Sequence, residues 1–211
     1  MKRSSRSASR DDGHPFLSRL LGLLMVAPFW GAGAMAQPAG TGGAGAAGAV
    51  SPEPASTIEA AFGPEAGAEA LVLRVIASAD STIRLAGYAF SSAAVVDGLV
   101  AAARRGVDVQ VVVDHGHNVP EGATCVSQKV FSRLAKAGVV VRTNSTFRHL
   151  HDKFIVVDGR HVQTGSYNYA KSANLNSENV IVIWRDPALA AKYLSHWKAR
   201  FDGGKACPGK E

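Results

Sequence analysis

Cysteine is scarce in this chain: Cys125 and Cys207 are the only two among 211 residues. That excludes a small scaffold stapled by several disulfides, and two isolated thiols make a poor zinc site. Aromatic residues reach only 7%, and no aromatic-rich base-stacking motif of the RNA-recognition kind stands out. Charged residues are 19% against 46% apolar, which excludes a fibrous chain and fits a soluble globular bulk. No internal repeat occurs. Past the N-terminus no apolar run is long enough to span a membrane. The length suits one ordinary domain with its own core.

The first 36 residues read as an export signal. Lys2, Arg3, Arg6 and Arg10 give a basic start, an apolar stretch runs from Leu20 to Trp30, and Ala34-Met35-Ala36 supplies small residues at a cleavage site. Cleavage is expected between Ala36 and Gln37. A retained anchor is the alternative, but Pro28, the glycines after it and Arg19 before it shorten the apolar run. No cysteine follows the cut directly, which argues against a lipoprotein. No twin arginine borders the apolar run, so export unfolded is expected, to a periplasmic or secreted location with no stable membrane span. The segment holds five of the 23 basic and two of the 17 acidic residues, leaving 18 and 15, a net +3. A weak positive balance permits a polyanionic partner without requiring one. In an oxidising compartment Cys125 and Cys207 are expected to pair rather than stay as thiols. The chain entropy of the 82-residue separation sets a ceiling of about 4–5 kcal/mol on that bridge.

Residues 37–56 are rich in Ala, Gly and Pro and read as a flexible linker. A folded domain is expected over 57–204, with 205–211 as a tail. Strands are expected at Thr57–Phe62, Ser81–Phe90, Val107–Asp114, Val139–Thr143, Phe154–Val157, His161–Thr164 and Val180–Trp184. Helices are expected over Pro64–Ala79, Ala93–Arg105 and Gln128–Ala137, with a last one carrying Leu189, Tyr193, Trp197 and Phe201 on one face. Asp158-Gly159 is a hairpin turn signal. Alternating β and α units followed by a hairpin imply an α/β fold, a mixed sheet with helices on its faces.

The chemistry concentrates between His151 and Glu178. His151 and Lys153 are two apart at a strand start, so alternation puts both side chains on one face. A nucleophilic imidazole beside a fixed ammonium suits attack on a phosphodiester. Ser166 and Asn168 follow the return strand and offer neutral donors to phosphate oxygens, while Gly165 lets the backbone approach a ligand closely. Glu178 can orient an imidazole, as a carboxylate does in hydrolytic triads. Asp114-His115-Gly116-His117 gathers an acid and two histidines, and reads better as a polar loop than as a metal site. His115, Arg148 and His149 are candidate substrate contacts. Tyr167 and Tyr169 are open either as stacking platforms or as core.

His151-x-Lys153-x-x-x-x-Asp158 followed by Gly165-Ser166-x-Asn168 resembles the HKD signature of the phospholipase D superfamily. From about Ile58 to Gly203 the chain is similar to the superfamily's small, single-motif exported endonucleases of the Nuc type. The stretches RRGVDVQVVVD, HDKFIVVDG, QTGSYN and NSENVIVIW carry the likeness. The resemblance implies a phospholipase D-like fold and a metal-independent endonuclease without sequence preference, acting on DNA or RNA through a phosphohistidine on His151. It also implies that Lys153 and Asn168 bind the phosphate, that Glu178 orients His151 and that Asp158 supports the structure.

That mechanism needs two histidines, a nucleophile and an acid, and the chain has one motif. A homodimer with the site on its two-fold axis is therefore expected. One neutral and one protonated imidazole imply a bell-shaped pH–rate profile. Neither cofactor nor metal is expected, because a basic pair with one carboxylate is not the acid cluster that holds Mg²⁺. A phospholipid headgroup is the alternative substrate, and a non-catalytic nucleic-acid-binding protein the alternative class.

Overall fold

The computed structural model describes residues 55–65, 67–125 and 128–207. The expected signal and nearly all of the expected linker lie outside the described residues. Eight strands form one mixed sheet in the order β1-β7-β6-β5-β2-β3-β4-β8. They are β1 (Thr57–Gly63), β2 (Thr82–Gly87), β3 (Asp108–Asp114), β4 (Val140–Asn144), β5 (Lys153–Val157), β6 (His161–Gly165), β7 (Glu178–Trp184) and β8 (Lys205–Ala206). β2, β3 and β4 run parallel through helical crossovers, whereas β5, β6 and β7 are antiparallel neighbours. β2 joins the two halves by pairing antiparallel with β5.

Alternating side chains sort onto two faces. Ile83, Leu85, Val111, Val113, Ile155 and Val157 pack against α1 (Ala68–Ala77), α2 (Ala93–Arg104) and α4 (Lys129–Lys136). Ala86, Val112, Phe154, Val156 and Val162 pack against Trp197 and Phe201 of α5 (Pro187–Asp202). The fold is thus the expected α/β architecture, with helices on both faces.

The differences from the sequence reading have local causes. α1 starts at Ala68 rather than Pro64 because Gly67 has φ +80°, a left-handed residue that an α-helix cannot run through. One helical turn, α3 (His115–Asn118), replaces the expected polar loop after β3; the Asp114 carboxylate caps it at 2.7 Å from the His117 amide. Lys205 and Ala206, expected in a tail, pair with β4 as an edge strand. Cys207 follows, bridged to Cys125 as expected, with its amide donating to the Val141 carbonyl at 2.8 Å. Among the described residues no helix is long and apolar enough to cross a membrane.

Candidate active site

The sheet brings the chemistry to one end. Pairing of Gly87 with Lys153 sets the end of β2 beside the start of β5, and pairing of Gly165 with Val180 sets the end of β6 beside the start of β7. Tyr88, His151, Lys153, Gly165 and Glu178 therefore meet where these four strands begin or end.

His151 is exposed, while Lys153 is only 9% exposed. The Lys153 ammonium donates to the His151 carbonyl at 2.8 Å and lies 3.2 Å from His151 Nδ1. An ammonium only donates, so in this arrangement Nδ1 accepts and Nε2 carries the proton. Burial, then Lys153 and His149, push the His151 imidazole below the ordinary histidine value, with Asp114 and Asp152 opposing. Burial also pushes the Lys153 ammonium down, against Asp152 and Glu178. The shift on His151 favours the neutral, nucleophilic form of the imidazole.

Tyr88 is a residue that sequence reasoning missed. Its ring centroid lies 4.6 Å from that of His151, 4.5 Å from His117 and 5.7 Å from His149, and the Lys153 ammonium sits 5.2 Å above it. A lone tyrosine at a strand end carries no spacing signal, so only the three-dimensional neighbourhood reveals it. His149 joins the cluster as expected. His117, rather than the expected His115, faces the site; His115 Nδ1 instead lies 3.0 Å from the Thr143 hydroxyl. Arg148 is exposed beside His149.

Several expected roles change. Gly165 has φ +150°, and a Cβ there would stand 2.2 Å from the Asn179 carbonyl oxygen. The close approach that requires glycine is therefore to β7, not to a ligand. The Ser166 hydroxyl donates to Glu178 at 2.5 Å and accepts from the Asn179 amide at 3.0 Å, so its one proton is already committed. Glu178 accepts from Ser166 and, at 3.1 Å, from Asn176. It is not bonded to His151 within one chain. Tyr167 and Tyr169 are core residues, 1% and 0% exposed, not stacking platforms. The Asn168 amide has a buried end with no hydrogen-bond partner among the described residues. An amide can turn either its oxygen or its NH₂ that way.

Asp158 stands at the other end of β5. Its carboxylate accepts from the amides of Asp80, Ser81 and Thr82 at 2.8–2.9 Å and from the Ser81 hydroxyl at 2.8 Å. Burial alone would raise its pKa, but these bonds together hold it below the ordinary carboxylate value. Among the described residues no cluster of three or more His, Cys, Asp or Glu side chains could hold a metal ion.

A mixed sheet whose central strand ends bring an exposed imidazole beside a buried ammonium suits chemistry on a phosphate ester. Residues 72–201 match the family described as cardiolipin synthase, PLD-like domain. The crystal structure of a phospholipase D family member, Nuc from Salmonella typhimurium, is 38% identical with a TM-score of 0.69, covering 74% of this chain and 100% of that one. A phospholipase D of Rickettsia prowazekii is 32% identical over 149 residues, 69% of this chain and 68% of the relative. A mitochondrial cardiolipin hydrolase of Chlamydomonas reinhardtii is 28% identical over 62% of this chain and 56% of its own length. The chain belongs to the phospholipase D superfamily and is a hydrolase of phosphodiester bonds.

Proposed function

We propose that the protein is a metal-independent endonuclease of low sequence preference, working as a homodimer outside the cytoplasm. One observation carries the substrate class: beside the exposed His151 stand Lys153, His149 and Lys192, and of the two nearby carboxylates Asp114 is taken up by the His117 and Leu150 amides and Asp152 by His196. Such a setting grips a phosphate backbone, and phosphate contacts carry no sequence information. The Cys125–Cys207 bridge supports a periplasmic or secreted location.

His151 of one chain attacks phosphorus, forming a P–N bond as the P–O bond to the leaving group breaks. The His151 of a second copy gives its proton to that leaving oxygen. It then takes a proton from water as the water oxygen attacks phosphorus and the P–N bond breaks. Lys153 and Asn168 offset the phosphate charge throughout. The attacking imidazole needs its proton on Nδ1, so Nδ1 must exchange Lys153 for an acceptor. Glu178 supplies that acceptor, since a carboxylate has lone pairs beyond those used by Ser166 and Asn176.

An apolar strip supports the dimer. Ile58 is 73%, Phe62 56% and Leu175 84% exposed. The first two lie on β1, whose end pairs with the start of β7 at Gly63–Glu178, beside the site. Clustered exposed apolar residues mark association surfaces.

The test is plasmid cleavage in excess EDTA by protein lacking the expected signal, beside His151→Ala. Cleavage by the first alone supports the reading. No cleavage by folded wild-type dimer overturns it and favours phospholipid headgroups, the reading that the relatives' names suggest.

A further inference from the structure

A cavity of about 450 Å³ opens beside His151 between α5 and the ends of β5 and β6. His151, Lys153, Thr164 and Gly165 line one side, and Lys192 and Tyr193 of α5 line the other. The reaction proposed above uses nothing on the α5 side. Tyr193 is half-buried and meets Phe154 edge-on, ring centroids 4.9 Å apart. Lys192 is exposed and has no ion-pair or hydrogen-bond partner among the described residues. One carboxylate, Asp152, also lines the cavity, but His196 Nε2 lies 3.1 Å and Arg200 4.0 Å from it. With Lys153 and Lys192 on the rim, the balance stays positive.

We infer that this cavity is a nucleotide subsite: Tyr193 stacks on the sugar–base unit next to the scissile phosphate, and Lys192 pairs with the next phosphate along the strand. The subsite rests on the nuclease reading and deepens it. An aromatic face with a free ammonium a helix position away is the combination that holds a single strand without reading its sequence.

Two p-nitrophenyl diesters with one leaving group separate the subsite from the chemistry: methyl p-nitrophenyl phosphate, which has no second ring to stack, and thymidine 5′-(p-nitrophenyl) phosphate. The readout is the ratio of their kcat/KM values, nucleoside diester over plain diester. Tyr193→Ala is expected to lower that ratio about ten-fold, the effect of one lost base stack, and Tyr193→Phe to restore it. Lys192→Ala, at an exposed position, is expected to make the log–log salt dependence of oligonucleotide cleavage shallower by roughly 0.7–0.9, one phosphate contact. An unchanged ratio in Tyr193→Ala together with an unchanged salt slope in Lys192→Ala overturns the subsite, while cleavage of nucleic acid by wild type leaves the nuclease reading standing. Wild type that hydrolyses the plain diester but cleaves no nucleic acid sinks both.

Discussion

At the scale of single residues, reactivity here comes from neighbours rather than from unusual groups. His151 is exposed, yet desolvation of its ring, then the charges of Lys153 and His149, push its pKa below the ordinary histidine value. In the proposed reaction the attacking imidazole must be neutral, so activity gains as pH rises through that pKa. The depression sets the acid limb of the rate profile below the free histidine value of about 6.5. Replacing His149, whose ring lowers the His151 pKa, is then expected to raise the His151 midpoint. A proton NMR titration of the His151 ring in wild type and His149→Gln checks this, and a midpoint that moves down or stays put contradicts it. Tyr88 acts through shape. Its ring touches His151 and underlies Lys153, while Asn118 fixes its backbone by donating to the Tyr88 carbonyl at 2.5 Å. Tyr88→Phe should turn over plain diesters like wild type. Tyr88→Ala should lose roughly 10–100-fold in kcat, the range expected when reacting groups shift by an ångström. Equal losses in both variants would point to the hydroxyl instead. His151, Lys153 and Glu178 were legible because spacing and residue type suffice to flag them. The pairing partners were not. That Ser166 spends its proton on Glu178, and that His117 rather than His115 turns to the site, depends on side-chain direction at a helix cap and a strand end, which no linear pattern encodes.

Among the elements, the legible ones were those long enough to show a period. The Val111-Val112-Val113 run announced a buried strand, and the hairpin β5–β6 followed from Asp158-Gly159, whose φ values of 52° and 62° both lie in the left-handed region that a two-residue turn demands. β8 has two residues and α3 four, too short for alternation or helical spacing to register. β8 exists because β4 would otherwise expose its outer edge and because the disulfide holds Cys207 there. Asp158 ties the hairpin to the loop before β2 through four hydrogen bonds, on a side chain only 6% exposed. Its folded pKa is depressed, so its stabilisation is complete above the unfolded value of about 3.9 and disappears as pH falls through the lower folded value. Asp158→Asn is expected to destabilise by about 1.5–3 kcal/mol at neutral pH, the magnitude for hydrogen bonds to a buried charge. Urea unfolding should find that gap narrowing below about pH 4. A gap constant with pH would mean that Asp158 acts by packing alone.

For the whole molecule, the decisive quantity is the number of histidines per site. In the proposed reaction a chain with one His-x-Lys motif supplies a nucleophile or an acid, and each turnover uses one of each. The exposed Ile58, Phe62 and Leu175 are the surface on which the proposed dimer would bring two copies together. Composition hinted at none of this, since an exposed strip of three apolar side chains is invisible in a chain that is 46% apolar throughout. Replacing Phe62, at the exposed centre of the strip, by Asp should give a monomer by sedimentation equilibrium and abolish turnover while the far-ultraviolet spectrum stays native. The sharper measurement is a mixture. Wild type and His151→Ala are unfolded together, refolded and assayed at increasing fractions of the variant. If both copies of His151 serve one site, only dimers with two intact chains turn over, and activity falls as the square of the wild-type fraction. An equal mixture then retains about one quarter of the all-wild-type rate, whereas chains acting singly retain about one half. A linear decline would leave the apolar strip unexplained and require the proton donor to come from within the chain, with His149 and His117 around Tyr88 and His196 across the cavity as the candidate imidazoles.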